Sequence, residues 1–155
     1  MPLPTIVTPT YELELPSTGK KVKYRPFLVK EEKLLVLALE TESTKDISTA
    51  IKTVLKNCIQ SRGVKVENLP TFDIEYLFLN IRGKSVGEEV EVNLIAPDDE
   101  VTEVPVTINI DDIKIQKSEE HTNKVKLDDA LIMEMKYPSL DQFIKSNFDF
   151  TEEVS

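Results

Sequence analysis

The 155-residue chain predicts an α+β fold, because residues 11–25 and 90–110 alternate apolar and polar side chains as strands do, while the region between repeats its apolar residues at helical spacing. Length fits one domain, since a chain of this size buries roughly 70% of the surface it exposes when unfolded. The expected layout is an N-terminal β-hairpin, a three-helix layer, a second β-hairpin with an additional strand, and a short C-terminal helix. A single domain over 1–155 carries an extended arm at 1–10 and a tail at 146–155.

Tyr11, Leu13 and Leu15 alternate with Glu12 and Glu14, and beyond Pro16–Lys20 the alternation resumes with Val22 and Tyr24 against Lys21, Lys23 and Arg25. This is a hairpin with Gly19 in its turn and opposite charges on its two outward faces. Pro26 lacks a backbone donor and suits the point where pairing stops. From about Lys30 to Glu40 the pattern is helical. Leu34 to Leu39 leave almost no polar side on its second half, so this helix is expected to be covered nearly all round.

Ser43–Asp46 supplies capping chemistry for a second helix, whose Ile47, Ala50, Ile51, Val54, Leu55, Cys58 and Ile59 form an i, i+3, i+4, i+7 stripe ending at Gly63. Pro70 and Thr71 introduce a third helix, in which Ile74, Leu77, Phe78 and Ile81 share a face and Gly83 or Gly87 closes the segment. The period then changes. Val90, Val92 and Leu94 alternate with polar neighbours, Pro97–Glu100 is a turn, and Val104, Val106, Ile108 and Ile110 alternate again. Pro105 makes its strand an edge or a bulged one. Lys117–Asn123 reads as a polar loop or linker, followed by a strand over Lys124 to Lys126 or over Leu131 to Met135. Ser139 and Gln142 have capping-box spacing and open a final short helix with Leu140, Phe143 and Ile144 on its apolar side.

Composition excludes several classes. A lone Cys58 permits neither an intramolecular disulfide nor a thiolate zinc site within one chain, and suits a reducing compartment; on the apolar face of its helix it reads as a core thiol. The longest apolar run, Leu34 to Leu39, cannot span a bilayer. The N-terminus lacks the basic and apolar regions of a secretion signal and reads as an arm. A net charge of -9 opposes non-specific attraction to nucleic acid or anionic lipid.

Catalytic constellations are equally hard to assemble. The only histidine, His121, lies in the polar loop between Glu120 and Thr122. Arg82-Gly-Lys-Ser-Val-Gly87 ends like a phosphate loop, but Phe78 stands where the upstream glycine belongs and the segment follows a helix, so a helix-terminating turn is the simpler reading. Asp98-Asp99, Asp111-Asp112 and Asp128-Asp129 lack calcium-loop spacing and sit where strands turn or end. No catalytic, cofactor or metal residue is assigned. The segments suited to partner contact are the arm with Ile6 and Val7, the basic edge with Lys21, Lys23 and Arg25, the edge strand with Val104 and Val106, and the tail with Phe148 and Phe150.

Lys23-Tyr-Arg-Pro-Phe-Leu-Val-Lys-Glu-Glu-Lys33, Arg82-Gly-Lys-Ser-Val-Gly87 and Met135-Lys-Tyr-Pro-Ser-Leu140, in this order and with an acidic hairpin at Pro97-Asp-Asp99, resemble a small baseplate protein of contractile-tailed (myovirus) bacteriophages. The resemblance is to the family that includes the baseplate hub subunit or hub assembly protein, and it covers most of residues 10 to 145. It implies a non-enzymatic structural protein of the hub region, made in the host bacterial cytoplasm and located in the virion tail baseplate. Its partners would be other baseplate or tail proteins, in several copies of a symmetric assembly, with no cofactor, nucleic acid or membrane. The alternatives are a transient hub assembly chaperone that leaves before the virion is complete and, from another class, a hydrolase or nucleotide-binding enzyme using Lys84, Ser85 or the acidic pairs.

Overall fold

Alternation in the first 25 residues produces what it should. In the computed structural model, which describes residues 7–98 and 100–148 apart from the side chains of Asn147 and Phe148, Tyr11–Glu14 (β1) pairs antiparallel with Lys21–Tyr24 (β2). Gly19, at φ +68°, takes the left-handed turn position; the Leu15 N–H donates to the Lys20 carbonyl at 2.9 Å and the Gly19 N–H to the Leu15 carbonyl at 2.8 Å. Alternation directs Leu13, Leu15, Val22 and Tyr24 toward the core, while Glu12, Glu14, Lys21 and Lys23 face water.

Three helices follow: Val29–Glu40 (α1), Thr44–Cys58 (α2) and Thr71–Val86 (α3). The side chain of Ser43 caps α2 by accepting from the Asp46 N–H. Leu15, Val22 and Tyr24 of the hairpin join Val54, Leu55 and Cys58 of α2 and Ile74, Leu77 and Ile81 of α3 in the core. α2 ends at Cys58, five residues before the expected Gly63, because Ile59 turns extended and bridges Tyr24. The Arg25 N–H then donates to the Cys58 carbonyl at 3.0 Å and the Gln60 N–H to that of Lys23 at 2.8 Å, satisfying backbone groups that a longer helix would have used itself.

The expectation that α1 is covered all round is also corrected. Ala38 is buried and Leu35 packs on the core, but Val36 and Leu37 remain 50% exposed and Leu39 61%. α1 lies along α2, and nothing in the described residues covers its outer side. Gly87, at φ +133°, closes α3, whereas Gly83 lies inside the helix, where a β-carbon would stand 3.4 Å from Ile110.

Glu89–Ile95 (β3) pairs antiparallel with Glu103–Asn109 (β4) in unbroken register, with Pro105 opposite Asn93, so β4 is an edge strand without a bulge. Ile110 begins a short 3₁₀ turn and plugs into α3 beside Gly83. Both segments offered for one additional strand form and pair with each other. Lys124–Lys126 (β5) and Ile132–Glu134 (β6) make a third hairpin, with Asp128 accepting from the Ala130 and Leu131 N–H groups in its turn. Residues 111–138 are exposed throughout.

The last helix, Leu140–Phe148 (α4), starts with the expected capping box: the Ser139 N–H donates to Gln142 Oε1 at 3.0 Å, and the Gln142 N–H to Ser139 Oγ at 3.3 Å. It runs on to Phe148, so the segment expected as a tail from 146 begins inside a helix. Leu140 docks into the core, and its N–H donates to the Leu69 carbonyl at 3.0 Å.

Candidate partner-binding surface

The junction between β2 and α1 carries the segment most telling in the sequence, and its charges are structural. Arg25 faces inward rather than along the basic edge. Its guanidinium holds Glu31 through two oxygens, at 3.1 and 3.5 Å, and donates to the Pro26 carbonyl at 2.9 Å. Glu31, 1% exposed, also accepts from the Leu28 N–H at 2.7 Å and so caps the first turn of α1. Burial alone would raise its pKa. The hydrogen bonds from Arg25 and Leu28, with the positive charges of Arg25 and Lys30, outweigh burial and hold the carboxyl below its ordinary value. Of the proposed basic edge, Lys21 and Lys23 remain at the surface, with Lys21 3.3 Å from Glu12.

Val7 is exposed, and Val104 and Val106 lie on the aliphatic face of β4, opposite Leu94 and Val92. Ile6 and Phe150 lie outside the described residues, and Phe148 closes α4 without a described side chain. Among the residues with described side chains these candidates lie on three segments, the arm, β2 and β4. A further apolar surface is present on α1. Val36, Leu37 and Leu39 line the outside of α1, and beside them a groove of about 400 Å³ opens between α1, α2 and the last turns of α3. Leu35, Val36, Leu39, Ile47, Phe78 and Val86 line it, with Glu32 and Arg82 as its charged members. The signal for this surface was the missing polar side of α1, which reads equally as burial in the chain or burial by something else.

The residues considered for chemistry have other work. Ser85 Oγ accepts from the Phe27 N–H at 3.0 Å and donates to the Ile81 carbonyl, while Lys84 pairs with Glu88 and, at 3.3 Å, with Asp111. These bonds fasten the end of α3 to the β2–α1 junction and to the 3₁₀ turn. Asp128 shapes the β5–β6 turn, and Asp129 pairs with Lys126 at 2.7 Å. Asp99 lies outside the described residues. His121 stacks on Tyr137, their rings 6.0 Å apart and nearly parallel, and Tyr137 and Phe72 form a T-shaped pair with centroids 4.9 Å apart. Cys58 is fully buried, and burial pushes its thiol up to about 11, which keeps it protonated and unreactive. Among the described residues no cluster of three or more His, Cys, Asp or Glu is placed to hold a metal ion, and no helix is long and apolar enough to cross a membrane.

No curated protein and no solved structure matches this chain. A family model does: that of the T4 bacteriophage base plate protein matches residues 8–155, a span that takes in both the junction and the α1 surface. With nearly the whole chain matched, from the first hairpin through α4, the protein belongs to the T4 bacteriophage base plate protein family.

Proposed function

We propose that this chain is a non-enzymatic structural component of the hub region of a phage tail baseplate, acting through contacts with other tail proteins. The observation that carries the proposal is the aliphatic outer side of α1, with Val36, Leu37 and Leu39 half or more exposed beside an apolar groove. Exposed aliphatic surface of this extent is what a lasting protein contact buries. The hydrogen bonds and ion pairs of Lys84 and Ser85 support the non-enzymatic side of the reading.

Mass spectrometry of purified tails tests it. The chain is expected at fixed stoichiometry in mature tails, with cross-links to central rather than peripheral baseplate proteins. Presence in assembly intermediates and absence from mature tails would replace the proposal with a transient hub assembly chaperone. Lys84→Met, which keeps the aliphatic stem and removes the charge, is expected to leave baseplate yield unchanged apart from a modest loss of stability. A loss of assembly with normal folding would favour an enzyme that uses the ammonium.

A further inference from the structure

The β3–β4 hairpin has the most one-sided composition in the chain. Residues 88–109 hold seven acidic residues and no Lys, Arg or His, so this segment carries a net charge of -7 in a chain of net charge -9. Its register sets Val90 opposite Ile108, Val92 opposite Val106 and Leu94 opposite Val104, which gathers six aliphatic side chains on one face of the ribbon. The reverse face carries Glu89, Glu91 and Glu103. On the aliphatic face Leu94 is 51% exposed, Val104 46% and Ile108 40%. A two-stranded ribbon is marginal alone and gains most from a cover on its apolar side.

We propose that this face docks a second baseplate protein, one presenting an apolar patch rimmed by lysine or arginine. The inference rests on the reading of the chain as a baseplate component and adds the chemistry of its partner. Charge selects the occupant. A second copy in a two-fold contact would set one acidic hairpin against another, and nucleic acid or anionic lipid would be repelled. The exposed polar residues of α1 show no such bias, since Lys30 and Lys33 accompany Glu32 and Glu40. A basic-rimmed partner gains long-range Coulomb attraction to the acidic ribbon as a whole while its apolar centre covers Leu94, Val104 and Ile108.

The experiment measures binding of the full-length chain to phage baseplates assembled without it. Wild-type affinity is expected to fall about tenfold as salt rises from low to moderate concentration. The isosteric triple variant Glu89→Gln, Glu91→Gln and Glu103→Gln is expected to bind about tenfold more weakly at low salt and to lose most of that salt dependence. Leu94→Asp with Val104→Asp is expected to abolish binding with unchanged helical circular dichroism, and amides of residues 90–108 gain exchange protection in the wild-type complex. Hairpin variants that bind like wild type would overturn the inference and leave the proposed function standing. Failure of the wild-type chain to bind, together with its absence from tails, would overturn both. A dimer of the free chain that dissociates on Leu94→Asp would overturn it by making a second copy the occupant.

Discussion

Glu31 shows how a charge that looks like surface becomes part of the frame. In the sequence it is one of several charges opening a helix, and Arg25 reads as the end of a basic strand face. Folded, the two form a nearly buried pair joining β2 to α1. Strand alternation could not reveal this, because Arg25 lies just past the last ladder pair, where period-2 direction no longer holds. Glu31→Ala, which strands the guanidinium, is expected to cost about 3 kcal/mol in urea unfolding. The pair also sets an acid limit. Its folded pKa lies below the unfolded one, so the unfolded chain takes up the proton first as pH falls; the stabilisation is whole above ~4.3 and is lost as pH drops through the folded value. Glu31→Gln is expected to remove that acid-side decline from a urea-midpoint profile. Asp73 contributes with the opposite sign. Burial raises its pKa despite hydrogen bonds from the Ser17 N–H and hydroxyl, so the folded state holds the proton more tightly, and stability falls as pH rises from ~3.9 through the folded value. Asp73→Asn is expected to flatten that part of the profile.

Among the elements, those set by local rules were the legible ones. The Ser43 cap and apolar stripe of α2, the capping box of α4 and the Gly19 turn all form where their residues demand. Long-range partners decided the rest. α2 gives up Ile59 to a bridge with Tyr24, 35 positions earlier, and no residue near Gly63 announces that exchange. The two candidate strands after residue 123 looked like alternatives because each is only three residues long, yet Val125 faces Met133 across a shared turn. In the sequence Gly83 and Gly87 are equivalent candidates for the helix end. Only Gly87 has the positive φ, so Gly87→Ala is expected to destabilise by about 1–3 kcal/mol through backbone strain, measurable by thermal unfolding. On α1 the expectation runs the other way: Leu39→Ser should shift stability by no more than about 0.5 kcal/mol, because its side chain is already largely in water, while weakening attachment to baseplates.

Across the whole molecule, the buried apolar cluster is drawn from the first hairpin, α2, Val66 in the α2–α3 connection, α3 and the start of α4, and the two later hairpins stand outside it. Hydrogen exchange should divide along that line, with amides of β5 and β6 exchanging well before those of Val54, Leu55 and Leu77. Exposure is least legible at this scale, because period and composition show which side chains are apolar but not which of them the chain leaves uncovered. Leu34 to Leu39 looked like core by every local rule. The exposed aliphatic side of α1 also bears on how the protein behaves before it is assembled. A free chain holds this aliphatic surface in water, and a net charge of -9 gives copies a mutual repulsion that opposes association through it. That repulsion vanishes near the isoelectric point of about 4.7, where free chains are expected to precipitate.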